Sequence, residues 1–386
     1  MQNNSVFPFL EREGESLSLH SNLTYSLRRP DKSFKKTFVI SCRLRSAEML
    51  DVARQVCVNC DLLPYACAFC HTSLCCSESR GGEFVIVYRE LKTLARDLGF
   101  PVKTLYGLSN SLEKHYHAVL LPKRDGTLRK LSVPDLILKR VQRKIADVIL
   151  VQYPVSHHAC GYVCGGCVQK NARPHIGKEK LLKLDVDGFF DHIRYSQVKD
   201  LVFYKEKFSE PVRTLLSILC YFRDSLPQGA PTSPAISNIL MCGFDECVGA
   251  FCAEKGVTYT RYCDDMTFSG SFAEGEIVAF VRQELKKLGL FLKNRKTVSV
   301  PRAKRRLVTG LVVNEKLNLP KEYRKKIRQE IYYIKKFGLD EHLKKIGQKD
   351  KQKYLSSLQG RVAYVLQTRP KDPEFVGYKT FLKEVP

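Results

Sequence analysis

The chain has 386 residues, 44% of them apolar and 27% charged, which is enough for two or three domains around a substantial core. Its 64 Lys and Arg against 40 Asp and Glu leave a formal charge of +24, which points to a polyanionic partner, most simply nucleic acid, with a merely solvated basic surface as the alternative. No run approaches the roughly 18 to 20 apolar residues of a membrane span, and the opening MQNNSVFPFLEREGES lacks the order of a secretory signal; a cytoplasmic protein without a membrane partner is expected, its 15 cysteines thiols or metal ligands rather than disulfides.

Residues 1–82 form a first region, an N-terminal extension that starts polar, becomes Cys-rich and closes at SESRGGE. Within it, VCVNCDLLPYACAFCHTSLCC carries Cys57, Cys60, Cys67 and Cys70 as two C-x-x-C pairs, a spacing that suits a tetrahedral Zn2+ site. The loop between the pairs is shorter than in most zinc ribbons, Cys75 and Cys76 are rival ligands, and a cluster of small buried thiols is the other reading. From Phe84 onward helix and strand alternate. Residues 88–110 have helical spacing with a break at Gly99-Phe100-Pro101, and residues 117–134 read as a hairpin turning at Asp125-Gly126. Residues 135–153 read as an amphipathic helix with a basic polar face. LLKLDVDGFFDHI begins as a buried strand and ends in a turn, and GVTYTRYCDDMTFSG reads as two short strands meeting near an acidic pair. A helix closed by Gly289, a strand-like stretch at 296–314 and a basic helical C-terminal part follow. Positions 301–386 hold 22 basic and 9 acidic residues, so much of the charge surplus lies there.

Asp264 and Asp265 are adjacent like charges flanked by apolar residues, so each should raise the other's pKa unless a cation compensates. Asp185 ends the apolar strand LLKLD about eighty residues earlier. Three carboxylates shown from neighbouring strand ends can hold two divalent ions roughly 4 Å apart for phosphoryl transfer, and Mg2+ is the natural pair of ions for oxygen ligands. Taken alone, an Asp-Asp pair reads more readily as a hairpin turn than as a metal site.

In order along the chain, LKLDVDGFFDHI, LPQGAPTSPAISNIL and Tyr-x-Asp-Asp at 262–265 resemble a reverse transcriptase from about Leu91 onward. QKNARPHIG, with Asn171, Ala172 and His175, and the triplet Val308-Thr309-Gly310 narrow the resemblance to the bacterial retron enzymes. It implies an α+β right-hand polymerase fold, with fingers and an antiparallel palm over 83–310 and a basic helical thumb over 311–386. Asp185, Asp264 and Asp265 take the catalytic metal-ligand positions, helped by the Val186 carbonyl. Phe190 falls where a ring crowds the 2′-carbon of the incoming sugar, and Gln228 where the sugar and base are contacted. Lys123 and Arg129 resemble finger residues that clasp the triphosphate, and Lys296 a basic residue beside the palm. Asn171, His175, Val308, Thr309, Gly310, Lys325, Lys326 and Arg328 are candidate RNA contacts. Cys263 stands where alanine is common, and Asp187 is expected to point away from the metals.

Such an enzyme would bind the structured noncoding RNA encoded beside it and use deoxynucleoside triphosphates. It would prime from the 2′-OH of an internal guanosine and leave a branched RNA-linked single-stranded DNA (msDNA). The resemblance further implies an antiphage defence complex with an effector protein encoded nearby, and a host RNase H to trim the copied template. Alternatives are a group II intron-like or another defence-associated reverse transcriptase. From a different class comes a catalytically silent RNA-binding scaffold, against which the clustered acids speak, since they would repel phosphate.

Overall fold

The computed structural model describes residues 22–28, 35–41 and 87–385, apart from 123–125, 294–296 and 302. The chain divides into two compact units, Met1–Phe84 and Val85–Pro386. In the first, β1 (Asn22–Arg28) pairs antiparallel with β2 (Lys35–Ser41), Asn22 opposite Ser41. Cys57, Cys60, Cys67 and Cys70 lie outside the described residues.

The second unit opens with α1 (Leu91–Leu98), which Gly99 ends in the left-handed conformation (φ 74°), and α2 (Val102–Asn110), which begins after Pro101. Both signals are local chain chemistry: glycine tolerates positive φ, and proline has no N–H to lose at a helix start. A hairpin follows, β3 (Tyr116–Pro122) with β4 (Leu128–Pro134), in a register that sets Tyr116 opposite Pro134. The Asp135 carboxylate caps α3 (Leu136–Val148) by accepting from Leu138 N–H at 2.9 Å, and His115 Nδ1 holds the same carboxylate at 2.7 Å.

After the short α4 (Val168–Ala172) comes β5 (Lys180–Asp185), then α5 (Glu210–Cys220) and α6 (Ser233–Glu254). The strands β6 (Thr258–Tyr262) and β7 (Asp265–Gly270), the helix α7 (Glu274–Lys287) and the strand β8 (Val298–Pro301) complete this layer. The four strands form one antiparallel sheet in the order β6-β7-β5-β8. A small pair, β9 (Leu307–Val308) with β10 (Leu311–Val312), leads into α8 (Lys321–Phe337), α9 (Leu339–Ile346), α10 (Lys351–Thr368) and α11 (Pro373–Glu384).

Strand β5 buries Leu181 on one face and Leu182 and Leu184 on the other, with the half-buried Lys183 between them, which is why LLKLD shows no simple apolar–polar alternation. Leu182 and Leu184 join a core with Phe244 and Val248 of α6 and Ile277 and Val281 of α7. Leu181 joins a second core with Val308, Leu311, Ile327, Ile331, Leu358 and Val362. Each such leucine contributes about 1.5–3 kcal/mol by leaving water.

Helix α6 is among those that the sequence reading did not mark. Helix α6 buries Ile236, Met241, Phe244, Val248 and Cys252, but it also carries the apolar Cys242, Gly243, Cys247 and Phe251 off that stripe, so no clean helical pattern appears. Among the described residues α6 is the one helix long and apolar enough to cross a membrane. Its apolar residues are interrupted by Ser, Asn, Asp and Glu, which is why no unbroken run signals it, and half of its apolar window is buried inside the protein.

The turn after α4 is locked to the sheet by His175, which is fully buried. Its Nδ1 lies 2.6 Å from Ser269 Oγ on β7 and its Nε2 2.8 Å from Thr260 Oγ1 on β6. Burial, and after it the charge of Lys178, pushes the imidazole down to about 3. The folded-state value is depressed below the unfolded one near 6.5, so the stabilisation is complete above about pH 6.5 and is lost as pH falls toward 3. The slope is at most about 1.4 kcal/mol per pH unit. Urea unfolding between about pH 6.5 and 4.5 should therefore weaken the native protein more steeply than a His175→Gln variant; parallel profiles would contradict this.

Candidate active site

The register of the sheet gathers the three acids. Asp185 at the end of β5 lies directly opposite Asp265 at the start of β7, a separation of about 4.5–5.5 Å between Cα atoms in an antiparallel pair. Asp264 sits in the two-residue turn between Tyr262 and Asp265, which are themselves cross-strand partners. Its backbone carbonyl accepts from Val186 N–H at 3.2 Å, tying the turn to the residue after Asp185. Burial, then the charge of Asp185, raises the Asp264 carboxyl above the ordinary range, with Asp265 adding to the push. A group of oxygen donors whose mutual repulsion already favours a bound proton fits a divalent cation, and its all-oxygen chemistry suits Mg2+.

The turn is strained and braced from beneath. Cys263 has φ 61°, a left-handed conformation uncommon for a residue with a side chain. Arg261, wholly buried, donates from Nη1 to Cys263 O at 2.9 Å. Its guanidinium is clasped by Asp245 of α6, Nε to Oδ1 at 2.8 Å and Nη2 to Oδ2 at 2.5 Å. Tyr259 donates its hydroxyl to the same carboxylate at 2.8 Å. Neither Arg261 nor Asp245 was singled out from the sequence. The available signal was an acid inside the apolar helix ILMCGFDECVGAFC and an arginine three positions before the acidic pair.

Around the acids, Leu226 N–H donates to Phe190 O at 3.0 Å, so the turn after β5 and the LPQG loop are one hydrogen bond apart. The half-buried Phe190 ring leans edge-on against Phe189, with centroids 5.3 Å apart. Gln228, also half-buried, precedes Gly229, whose φ is 134° and where a Cβ would come within 2.8 Å of Ser132 O on β4. The loop therefore presses against the hairpin that carries Arg129, itself exposed. Lys123 and Lys296 lie outside the described residues.

The reverse transcriptase (RNA-dependent DNA polymerase) family matches residues 121–356. The chain is 30% identical to the retron Mx65 reverse transcriptase of Myxococcus xanthus over 75% of its own length and 70% of that protein. The chain belongs to the retron reverse transcriptases. The retron Ec86 reverse transcriptase of Escherichia coli is 29% identical over 64% of this chain and 79% of its own. Among solved structures, the apo telomerase from Candida tropicalis truncated from its C-terminal domain is 16% identical over 57% of this chain and 61% of that one, with a TM-score of 0.36.

As a retron reverse transcriptase the chain is an RNA-directed DNA polymerase of the right-hand type, with an antiparallel palm sheet and a helical thumb. Several expected RNA contacts face inward instead. Asn171, His175 and Val308 are buried. Asn171 Nδ2 donates to Thr309 Oγ1 at 3.4 Å, and Thr309 Oγ1 donates to Val168 O at 3.2 Å. The Asn-Ala-x-x-His element and the Val-Thr-Gly triplet thus hold each other, and the retron signature is here a structural seam between palm and thumb. Short polar motifs do not reveal from sequence which way their hydrogen bonds run. Gly310, Lys325 and Lys326 are exposed, while Arg328 is committed to a bidentate pair with Glu374, both contacts 2.6 Å. Asp187 is taken up by Lys293, Nζ to Oδ1 3.4 Å. Strand β5 ends at Asp185, so alternation along a strand is not what orients Asp187.

Breaking the pair beneath the turn should be costly. Asp245→Asn or Arg261→Met alone should lower the unfolding free energy by about 3–5 kcal/mol, because each leaves a buried group uncompensated, whereas Asp245→Leu with Arg261→Met should recover part of the loss. Urea denaturation measures both; a single-variant cost under about 1 kcal/mol would contradict the bracing role.

Proposed function

We propose that the enzyme copies a structured noncoding RNA, primes from the 2′-OH of an internal guanosine in that RNA, and so produces a branched RNA-linked single-stranded DNA. The convergence of Asp185, Asp264 and Asp265 at the palm turn carries the catalytic part of the reading. The retron relatives, at about 30% identity over most of the chain, support the self-primed part.

Asp185, Asp264 and Asp265, with the Val186 carbonyl beside them, would hold two magnesium ions. When bound, such a pair lowers the pKa of an attacking hydroxyl and offsets the charge that develops on the α-phosphate during in-line displacement. The protein's own residues do the positioning. The Phe190 ring would crowd the 2′-carbon of the incoming sugar and so select deoxynucleotides. Gln228 steadies the sugar and base from the LPQG loop. Arg129, with Lys123, neutralises the triphosphate from the fingers. The exposed lysines of α8, Lys325 and Lys326 among them, suit the phosphates of an RNA stem, so RNA affinity should fall steeply with salt. An effector protein encoded nearby and a host RNase H would complete a defence system around the msDNA.

The test is expression with the upstream noncoding DNA. The protein should yield DNA whose 5′ end stays attached to RNA until the 2′,5′ linkage is debranched. Asp264→Asn with Asp265→Asn should abolish that DNA while RNA affinity stays within about twofold. DNA made without an RNA attachment would refute the priming; an equal yield from the double variant would refute the catalytic assignment.

A further inference from the structure

The segment preceding α4 runs along the outer strand of the palm sheet. Arg261 N–H donates to His158 O at 2.8 Å and Cys160 N–H donates to Arg261 O at 2.7 Å, so residues 158–160 add a short parallel bridge to β6 through Ala159 and Arg261. This sets two adjacent histidines over the back of α6, where Glu246 and Gly249 stand three residues apart and share a face. His157 Nδ1 lies 3.8 Å from a Glu246 carboxylate oxygen. The two imidazole centroids are 3.8 Å apart, with the rings tilted by 39°. One donor atom from each of His157, His158 and Glu246 lies within 4.8 Å of the other two.

His158 is the anchored member. Its Nδ1 is 3.2 Å from Tyr259 O; a carbonyl only accepts, so Nδ1 carries the proton and Nε2 keeps its lone pair for a metal. A Cβ at Gly249 would come within 2.0 Å of Nε2, so glycine at this position is what keeps that nitrogen uncovered on the cavity wall. A cavity of about 330 Å³, lined by His157, His158, Cys160, Lys170 and Gly249 among others, opens beside the pair and leaves room for a further ligand.

We propose that His157, His158 and Glu246 bind zinc on the back of the palm. Two imidazoles and one carboxylate with a fourth position open to water form a donor set suited to Zn2+. The same nitrogen donors disfavour Mg2+, which prefers the all-oxygen cluster on the other side of the turn. Binding requires the donors to close to about 2.0–2.2 Å from the ion, a movement open to His157 and Glu246 because their side chains are 76% and 54% exposed. Zinc there ties the 157–158 segment to α6 next to Asp245, the residue that clasps Arg261 under the catalytic turn. It acts as a clip behind the site and takes no part in nucleotide transfer.

Metal-free full-length protein titrated with Co2+, as a spectroscopic stand-in, should show the ligand-field bands of a nitrogen–oxygen site, which has no thiolate-to-cobalt charge transfer and so stays distinct from any cysteine site in the first 82 residues. Competition with a chromophoric chelator should show His157→Ala and Glu246→Gln each weakening Zn2+ at that site by at least about tenfold, with unchanged circular dichroism. Saturating Zn2+ should raise the unfolding midpoint of the native protein and leave the double variant unmoved. Undiminished Zn2+ affinity in the double variant, equal midpoint shifts in both proteins, or cobalt bands of thiolate type alone would overturn the assignment.

Discussion

The pairing of Asp185 with Asp265 across β5 and β7 is the constraint on which the rest of the palm depends. It puts like charges on adjacent strand ends and a third beside them in the β6–β7 turn, an arrangement that costs the protein stability until a cation arrives. Much of the surrounding architecture keeps those carboxylates in place despite the cost. Leu182 and Leu184 anchor β5 from one side and Leu181 from the other, so the strand cannot slide. The strained conformation at Cys263 is held by a buried arginine, itself neutralised by Asp245. A buried ion pair of this kind adds little net stability compared with apolar packing, but it fixes one geometry of the turn.

The molecule separates its tasks by layer. The sheet and the helices behind it carry the acids, while the hairpin β3–β4 reaches the site by contact with the LPQG loop at Gly229. The thumb packs around its own core of Ile327, Ile331, Leu358 and Val362, and turns many of its lysines outward. Its carboxylates are largely used internally: Glu330 pairs with Arg361 and Glu374 with Arg328. The outer surface is correspondingly basic, which suits the proposed grip on an RNA stem. Between palm and thumb, Ala172, Leu181 and Val308 share a core with Ile327 and Ile331 of α8, and Asn171, His175 and Thr309 fix that seam to the palm by their hydrogen bonds.

What could be read from the sequence was what local chemistry determines. The break at Gly99, the start of α2 after Pro101 and the apolar run of β5 each follow from residues next to one another in the chain. The three acids were legible as candidates because β5 and the turn at 263–264 are short, strongly patterned pieces. Long-range pairings were not legible. Arg261 lay in full view beside the acidic pair, but its partner Asp245 is on a helix whose outer face is also apolar, so neither helix nor pair could be inferred. Asn171 and Thr309, 138 residues apart, find each other only in the fold. The misdirection of His175 toward RNA has the same origin: a polar side chain in a short motif shows its chemistry in the sequence and its direction only in three dimensions.

The most direct measurement of the central claim is electron paramagnetic resonance of Mn2+ substituted into the enzyme with primed template and a non-hydrolysable deoxynucleotide. Two ions about 4 Å apart should be magnetically coupled, and the coupled signal should vanish in Asp185→Asn. Magnetically isolated ions, or a coupled signal indifferent to Asp185, would contradict the view that the β5–β7 register assembles a two-ion polymerase centre.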